Sequence, residues 1–316
     1  MDKLIVGVDI GGTWIRAGLC NARGEIIQRA KAPTPAREEP EVGLECIKSI
    51  VREVLTDRVE AIGVGAPGPL DPWRGVIVKA PNLERWKDVH LKDVLEEEFG
   101  LPVYVGNDCN VAALAEQHFG AGQGVKNLIY ITVSTGIGGG IIVDDRLLLG
   151  GQGFAAEVGH QTIDVNGPRC KCGNIGCLEV LASGSAIARR AVELIEKGRE
   201  TAIAALVGGD LTKVTAEVVN EAARRGDELA IELIQQAGFY IGVGIVNLLH
   251  LFNPEMVIIG GGVSKAGDLL FEPIRSTVRE RAMMDLYWEK TPIVPSVLGD
   301  DVGILGAVAL VLSQLA

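Results

Sequence analysis

The strongest constraint on the fold of this chain is a segment pattern that occurs twice. Residues 3–30, KLIVGVDIGGTWIRAGLCNARGEIIQRA, contain three apolar or β-rich stretches separated by a Gly-Gly turn and an Asn/Gly turn. Residues 127–151, NLIYITVSTGIGGGIIVDDRLLLGG, repeat that order with a Gly/Thr-rich first turn and an Asp-Asp second turn. Short apolar runs bounded by such turns are typical of strands. Each copy therefore predicts a three-stranded meander that begins on a buried strand.

Each predicted meander is followed later in the chain by an apolar strand that ends in glycines. These strands are VEAIGVGAPGP at 59–69 and MVIIGGGVSKAG at 256–267. Apolar residues at helical spacing lie between the strands. The predicted helices are 41–55, 91–99, 111–118, 216–249 and 303–315. The duplication predicts an α/β protein with two related domains facing each other across a cleft.

The length of the chain, 316 residues, is sufficient for two domains of ordinary size. The closing helix is apolar enough to pack back on a sheet, so we assign it to the first domain. The predicted first domain is 1–110 together with 303–316, and the predicted second domain is 111–302.

Composition and charge restrict the partners of the chain. The formal net charge is −11, whereas a nucleic acid or an acidic membrane requires a basic face. The apolar N-terminal run is interrupted at once by Asp9, unlike a signal peptide. Residues 237–263 contain a single charged residue, Glu255, but also Pro254 and several glycines, which predicts a buried helix followed by a buried strand. We expect a cytoplasmic protein without a nucleic-acid or membrane partner.

Glycine-rich turns stand at equivalent positions in the two copies, DIGGT at 9–13 and TVSTGIGGG at 132–140. Glycine allows backbone N–H groups to approach a phosphate closely, and a threonine hydroxyl adds a donor. Taken singly, each turn is also typical of a plain hairpin. The matched pair, with Asp9 available for Mg²⁺, predicts that both turns hold one polyphosphate. The candidate ligands are Asp9, Gly11, Gly12, Thr13, Thr132, Ser134, Thr135, Gly136 and Gly138, with Gly260, Gly261 and Gly262 beside a base or ribose.

A competing nucleotide motif occurs at GVGAPG, where Gly63, Gly65 and Gly68 match the dinucleotide pattern G-x-G-x-x-G after a strand. That pattern must open a helix whose N-terminus holds the pyrophosphate. Pro67 and Pro69 instead predict a loop that leads into another strand. We therefore do not expect a dinucleotide site here.

Half of the six cysteines lie in one short loop, RCKCGNIGCLE, as Cys170, Cys172 and Cys177. His160 stands ten residues before the first of them and completes a Cys₃His set suited to tetrahedral Zn²⁺. A disulfide would leave one thiol over, and cytoplasmic thiols are usually reduced. Because C-x-C is a less usual zinc spacing, a reduced thiol cluster or a redox pair stays open from spacing alone. The remaining cysteines are predicted to be small core residues: Cys20, Cys46 and Cys109.

Taken together, the motifs resemble those of the ROK family, which contains repressors and sugar kinases with the actin-like ATPase (ribonuclease H-like) fold. The matching segments are VGVDIGGTWIRAGL, GVGAPGPLD, APNLERW, VGNDCNVAALAE, ITVSTGIGGGI, GFAAEVGH, CKCGNIGCLE, IIGGGVS and GDDVGILGAV. The resemblance implies ATP, Mg²⁺, a hexose and a structural Zn²⁺ as ligands, and a homodimer or tetramer. Several family repressors carry an N-terminal helix-turn-helix. The first phosphate loop of this chain begins at Asp9, which favours the kinase branch.

The resemblance also implies roles for individual residues. Asp108, in VYVGNDCNVAA, would be the catalytic base that accepts the proton of the sugar hydroxyl. From the residues alone, an N-capping aspartate before a helix is the favoured interpretation. Zinc on one ring nitrogen of His160 would fix the tautomer and leave the other nitrogen for a sugar hydroxyl. The implied sugar ligands are Gly65, Asn82, Asn107, Asp108, Glu157, His160 and Glu179.

The resemblance implies an ATP-dependent kinase for the 6-hydroxyl of glucose, either a glucokinase or a broader hexokinase of glycolysis and carbohydrate metabolism. Two alternatives stay open at this point. One is a kinase for N-acetylmannosamine, fructose or allose, and the other is a non-catalytic sugar sensor or corepressor. The sequence does not decide between the sugars.

Overall fold

The strands of the computed structural model form three sheets, and the structure describes residues 3–80 and 82–315. The strands are β1 (Leu4–Ile10), β2 (Trp14–Asn21), β3 (Ile26–Pro33), β4 (Val59–Ala66), β5 (Leu70–Asp71), β6 (Val76–Ala80), β7 (Leu83–His90), β8 (Val103–Asn107), β9 (Leu128–Val133), β10 (Ile137–Val143), β11 (Arg146–Leu147), β12 (Met256–Gly260) and β13 (Ile293–Pro295).

Two of the sheets have the same topology. Their strand orders are β3-β2-β1-β4-β8 and β11-β10-β9-β12-β13. Counted along the chain within each sheet, both orders are third, second, first, fourth, fifth. In the first sheet, β1 pairs antiparallel with β2 and parallel with β4, and β4 pairs parallel with β8. In the second, β12 is parallel to both β9 and β13, and β10 and β11 are antiparallel. The predicted duplicated α/β architecture is confirmed.

The helices connect these strands. They are α1 (Pro40–Val54), α2 (Leu91–Phe99), α3 (Asp108–Phe119), α4 (Leu178–Ala182), α5 (Gly184–Glu196), α6 (Ile203–Leu206), α7 (Ala216–Arg224), α8 (Glu228–Phe252), α9 (Asp268–Arg281), α10 (Leu286–Lys290) and α11 (Val302–Leu315). The sequence predicted a single helix over 216–249, and this was wrong. Gly226, with φ of +88°, ends α7, and the side chain of Asp227 caps α8 by accepting from the Ala230 N–H at 2.8 Å.

Helix α8 is the segment that composition alone could mistake for a membrane span. It has 25 residues, and 61% of its most apolar window is buried inside the structure. Gly238 and Gly242 let α9 approach closely. A Cβ on Gly238 would lie 2.7 Å from the Leu270 carbonyl oxygen, and a Cβ on Gly242 would lie 2.6 Å from Thr277 Cβ. The predicted buried helix, followed by the buried strand β12, is confirmed.

By its internal contacts the described chain divides into two compact units. Unit 1 comprises Met1–Lys126, Gly140–Ala156 and Ser296–Ala316, and unit 2 comprises Asn127–Gly139 and Glu157–Pro295. Helix α3 belongs to unit 1 because it packs on α11, where a Cβ on Gly306 would meet the Val111 carbonyl oxygen at 2.4 Å. The domain ranges 1–110 with 303–316, and 111–302, stay a prediction.

Helix α11 covers one face of the first sheet and fixes the end of unit 1. Its buried residues Ile304, Val308 and Val311 pack with Ile5 of β1. Glycine is required where helix and sheet meet, because a Cβ on Gly63 of β4 would lie 1.9 Å from the Ala307 carbonyl oxygen. The other face of the sheet packs against α1, so the strand ends are held by helices on both sides.

Candidate active site and metal centre

Asn107 and Asp108 stand where β8 passes directly into α3. Asn107 has extended backbone angles, and its side-chain oxygen accepts from the Cys109 N–H at 2.9 Å and the Asn110 N–H at 3.2 Å. Asn107 is therefore the N-cap, and the interpretation of Asp108 as the cap was wrong. Asp108 is the first helical residue, is half-buried, and shares the Cys109 N–H at 2.8 Å. Asp108 thus lies in the first turn of α3, at the positive end of the helix dipole.

Asp9 is the next-to-last residue of β1, just before the first glycine turn, and Gly65 lies next to it on the neighbouring strand. The Arg16 guanidinium lies 3.1 Å from Asp9 Oδ2. Gly303 leaves room for this carboxylate, because a Cβ there would lie 2.4 Å from Asp9 Cγ. Burial raises the pKa of Asp9 from its ordinary value, and Arg16 opposes that rise. A buried carboxylate of this kind suits a divalent cation, which would favour the ionised form.

The first glycine turn presents its backbone at the surface of unit 1. Gly11 donates its N–H to the Trp14 carbonyl at 3.0 Å, whereas Gly12 and Thr13 are exposed. Asn82 lies beside the turn, since a Cβ on Gly12 would be 3.5 Å from Asn82 Cβ. The structure thus groups the predicted residues of the first turn with Asp9, Gly65 and Asn82.

In unit 2, the second glycine turn borders a cavity of about 270 Å³. Of the predicted nucleotide ligands, Ser134, Thr135 and Gly262 line it. Thr132 and Gly260 pair with each other in the adjoining strands β9 and β12, behind the lining. Gly261 adopts φ of +87°, and a Cβ on it would lie 2.3 Å from the Val133 carbonyl oxygen. Gly261 is therefore required for the backbone turn that carries Gly262 to the cavity.

Sequence reasoning missed the helical residues of this cavity. They are Gly184, Ser185 and Ala188 of α5, and Val214, Thr215, Ala216 and Glu217 at the start of α7, together with Val263. Both helices have hydroxyl N-caps, with Ser183 accepting from the Ala186 N–H and Thr215 from the Val218 N–H. Helix N-termini favour anions. The two N-caps were readable from the sequence, but the contact that gathers these helices at one cavity is long-range.

The metal-ligand atoms of His160, Cys170, Cys172 and Cys177 all lie within 4.8 Å of one another. Cys170 Sγ is 3.9 Å from His160 Nδ1, and Cys172 Sγ is 3.7 Å from Cys177 Sγ. A tetrahedral Zn²⁺ with ordinary bond lengths needs ligand–ligand separations of about 3.4–3.8 Å. The donor set therefore suits Zn²⁺, as the cysteine pattern predicted, and the ligand atoms lie within about 1 Å of the separations that a bound ion needs.

The loop geometry that gathers these thiols depends on two glycines. Gly173 and Gly176 adopt φ of +98° and +65°, and a Cβ on Gly176 would lie 1.6 Å from the Asp164 carbonyl oxygen. Asn174 donates from its side chain to Thr162 Oγ1 at 3.0 Å and approaches Cys177 Sγ at 3.5 Å. Burial raises the pKa of the Cys177 thiol to about 12 in the protein without a cation. A bound cation would supply the energy that ionises this thiol.

One predicted sugar ligand, His160, belongs to the metal cluster, and two others, Glu157 and Glu179, flank it. His160 turns Nδ1 toward Cys170, so Nε2 is the ring nitrogen on its other side. Glu157 precedes it by one 3₁₀ turn and is solvent-exposed as a residue. Partial burial of its carboxyl raises the pKa of Glu157, with His160 opposing the rise and Glu179 adding to it. Glu179, two residues after Cys177, accepts from the Ile137 N–H at 3.0 Å.

Comparison with known proteins agrees with this arrangement. The sequence profile of the ROK family matches residues 5–314. The glucokinase of Thermotoga maritima is 37% identical, covering 100% of this chain and 99% of that protein. The xylose repressor of Caldicellulosiruptor bescii is 36% identical, covering 98% of this chain and 78% of that protein. A crystal structure of a ROK family glucokinase from Streptomyces griseus, in complex with glucose and AMPPNP, superposes with a TM-score of 0.85 at 38% identity, covering 97% and 98% of the two chains.

The fold and the cluster of ligands define an α/β protein with two actin-like ATPase domains, and the predicted fold class is confirmed. The chain belongs to the ROK family.

Proposed function

We propose that the protein is an ATP-dependent hexose kinase that phosphorylates the 6-hydroxyl of glucose. The observation that carries this proposal is that two neighbouring residues at the start of α3, Asn107 and Asp108, do not share the role of helix cap. Asn107 makes the helix cap, so the fold does not require the carboxylate of Asp108 for that purpose. The glucokinases at 37–39% identity over almost the whole chain support the same activity.

The proposed reaction needs one base and one phosphoryl donor. The oxygen of the sugar 6-hydroxyl attacks the γ-phosphorus of ATP, and Asp108 accepts the proton of that hydroxyl. The bond from that phosphorus to the β,γ-bridging oxygen breaks, and ADP leaves. A correctly placed general base contributes roughly 10²- to 10⁴-fold in rate. Most of the remaining acceleration comes from positioning and from stabilisation of phosphoryl charge.

We assign nucleotide ligands within each unit, at the first glycine turn of unit 1 and at the second glycine turn with the cavity of unit 2. The N-termini of α5 and α7 favour an anion there, and Gly262, where a Cβ would meet nothing within 4 Å, leaves room for a base or ribose. Asp9 would hold Mg²⁺, which neutralises phosphate charge when bound. The proposed ligands are Asp9, Gly11, Gly12, Thr13, Thr132, Ser134, Thr135, Gly136, Gly138, Gly260, Gly261 and Gly262.

We assign the hydroxyls of the sugar to residues beside the base and beside the metal cluster. Carboxylates, amides and imidazole suit a polyol because each can pair with one or two hydroxyls, and an unmatched sugar leaves them unpaired. The proposed ligands are Gly65, Asn82, Asn107, Glu157, His160 and Glu179.

The cluster of His160, Cys170, Cys172 and Cys177 would hold a structural Zn²⁺. Four protein ligands fill a tetrahedral site and leave no position for an activated water. The metal would fix the Nδ1 side of His160 and thereby the direction of Nε2. A cytoplasmic homo-oligomer completes the proposal and stays a prediction.

A sugar-sensing repressor is the second candidate, favoured by the xylose repressor at 36% identity. A coupled ADP-release assay with Mg²⁺-ATP tests both candidates against glucose, mannose, fructose, allose, xylose, N-acetylglucosamine and N-acetylmannosamine. Turnover on glucose well above the other sugars is the expected result. Turnover on another sugar alone would retain the kinase and change its substrate. No turnover, with sugar binding still measured by calorimetry, would favour the sensor.

A further inference from the structure

Ile137, at the end of the second glycine turn, lies against two segments that adjoin the metal ligands. Its N–H donates to Glu179 Oε2 at 3.0 Å. Its carbonyl oxygen lies against Gly159, the residue before His160, where a Cβ would be 2.0 Å from that oxygen. Both backbone polar groups of Ile137 thus lie against residues within two positions of a metal ligand, Gly159 next to His160 and Glu179 two residues after Cys177. Gly136 is needed for the first contact, since a Cβ there would lie 2.5 Å from Glu179 Oε2.

Backbone hydrogen bonds continue this path from Ile137 to the nucleotide cavity. The Gly136 carbonyl accepts from the Ser134 N–H at 2.9 Å, and the Ser134 carbonyl accepts from the Gly184 N–H at 2.7 Å. Ser134 and Gly184 both line the cavity. Glu179 is therefore two short steps from the cavity wall, through the turn that connects β9 to β10.

We propose that Glu179 is a positioning residue for the nucleotide. One carboxylate oxygen holds the turn 134–137 in the shape that binds phosphate, in addition to the role of Glu179 as a sugar ligand. This inference rests on the proposed function and deepens it. Glu179, which binds the sugar, thereby also determines the affinity of the protein for the nucleotide when no sugar is bound. Its neighbour Glu157 has no corresponding bond to the turn among the described hydrogen bonds.

A comparison of two substitutions at Glu179 separates the hydrogen bond from general damage. Glu179→Ala removes the acceptor for the Ile137 N–H, whereas Glu179→Gln retains an oxygen that can accept it. We expect Glu179→Ala to weaken binding of Mg²⁺-AMPPNP about tenfold without sugar, in line with the loss of one hydrogen bond to a charged acceptor. We expect Glu179→Gln to stay within about threefold of the unsubstituted protein. Glucose affinity falls in both. Isothermal titration calorimetry measures the two ligands separately.

Glu157→Ala is the matched control, because it removes the other carboxylate beside His160. It should weaken glucose binding and leave nucleotide affinity unchanged. Zinc content and circular dichroism identify any variant that has lost its fold, and Glu179→Asp, which withdraws the carboxylate by one methylene, then replaces Glu179→Ala. Nucleotide affinity unaffected by Glu179→Ala or its replacement, or weakened equally by Glu157→Ala, would overturn the inference. Failure of the unsubstituted protein to bind nucleotide would instead refute the proposed function.

Discussion

At the scale of single residues, the start of α3 gives the helix cap to Asn107 and leaves the carboxylate of Asp108 for the proposed role of base. Asn107 and Asp108 are adjacent and chemically similar, and either could cap a helix. The sequence located the pair but could not assign the cap, because the assignment depends on the extended backbone of Asn107. Substitutions at the two positions should therefore have different effects.

Asp108→Asn should remove the base with little change in stability. We expect turnover in the ADP-release assay to fall by roughly 10²- to 10⁴-fold. Asn107→Ala should lower the free energy of unfolding by about 1 kcal/mol through loss of the cap, measured by urea denaturation. Activity of Asp108→Asn within a few-fold of the unsubstituted protein would remove Asp108 from the role of base.

Asp9 provides a prediction about stability and pH. Burial raises its pKa in the folded protein, so the folded state retains a proton at pH values where the unfolded state has lost it. The stability gained from the protonated form is present below the unfolded pKa, near 3.8, and is lost as the pH rises through the raised folded pKa. At neutral pH the buried carboxylate therefore destabilises the fold.

Asp9→Asn should consequently raise the melting temperature at pH 7 by roughly 1–3 °C, measured in EDTA without nucleotide. The same substitution should lower turnover with Mg²⁺-ATP by at least about 10²-fold, because the proposed cation ligand is lost. Asp301→Asn is a suitable control, since Asp301 forms an exposed ion pair with Arg29 and should change stability by less than about 1 kcal/mol. A lower melting temperature for Asp9→Asn would show that the buried carboxylate does not destabilise the fold at neutral pH.

At the scale of elements, the sequence predicted those elements whose structure is determined by residues close together along the chain. The meanders, the glycine turns and the metal loop were readable because turn residues and ligand types recur at short spacing. The break between α7 and α8 was missed because both helices continue the same apolar pattern across Gly226. The residues of α5 and α7 that line the cavity of unit 2 were missed because the N-termini of these helices are brought together only by the tertiary fold.

The metal loop is the element whose role is most directly testable. Cys172 is exposed, so Cys172→Ser removes a metal ligand with little loss of packing. We expect zinc content to fall and the KM for glucose to rise about tenfold or more, since ligand orientation is lost at His160. Elemental analysis and steady-state kinetics measure the two effects. Cys46→Ser, at a half-buried thiol outside the cluster, should change neither. A zinc-free protein with normal glucose kinetics would show that the metal does not organise the sugar ligands.

At the scale of the whole molecule, the repeated strand order explains why so much of the architecture was predictable. Each copy carries its own turn signals, so each sheet was readable without the other. The sequence assigned the last helix to the first domain, but it gave no sign that the chain also returns to unit 1 at Gly140–Ala156. That return depends on contacts between distant segments, which turn signals and apolar spacing do not encode.

Helix α11 completes unit 1 by packing on β4, and this packing requires a residue without a side chain at Gly63. A Cβ at this position would lie 1.9 Å from the Ala307 carbonyl oxygen, a backbone atom that cannot rotate away. Gly63→Ala should therefore displace α11 and lower the free energy of unfolding by roughly 3 kcal/mol or more, measured by urea denaturation. Gly151→Ala, where the added Cβ would meet nothing within 4 Å, should stay within about 0.5 kcal/mol. Equal stability of the two variants would mean that α11 does not depend on this close approach to β4.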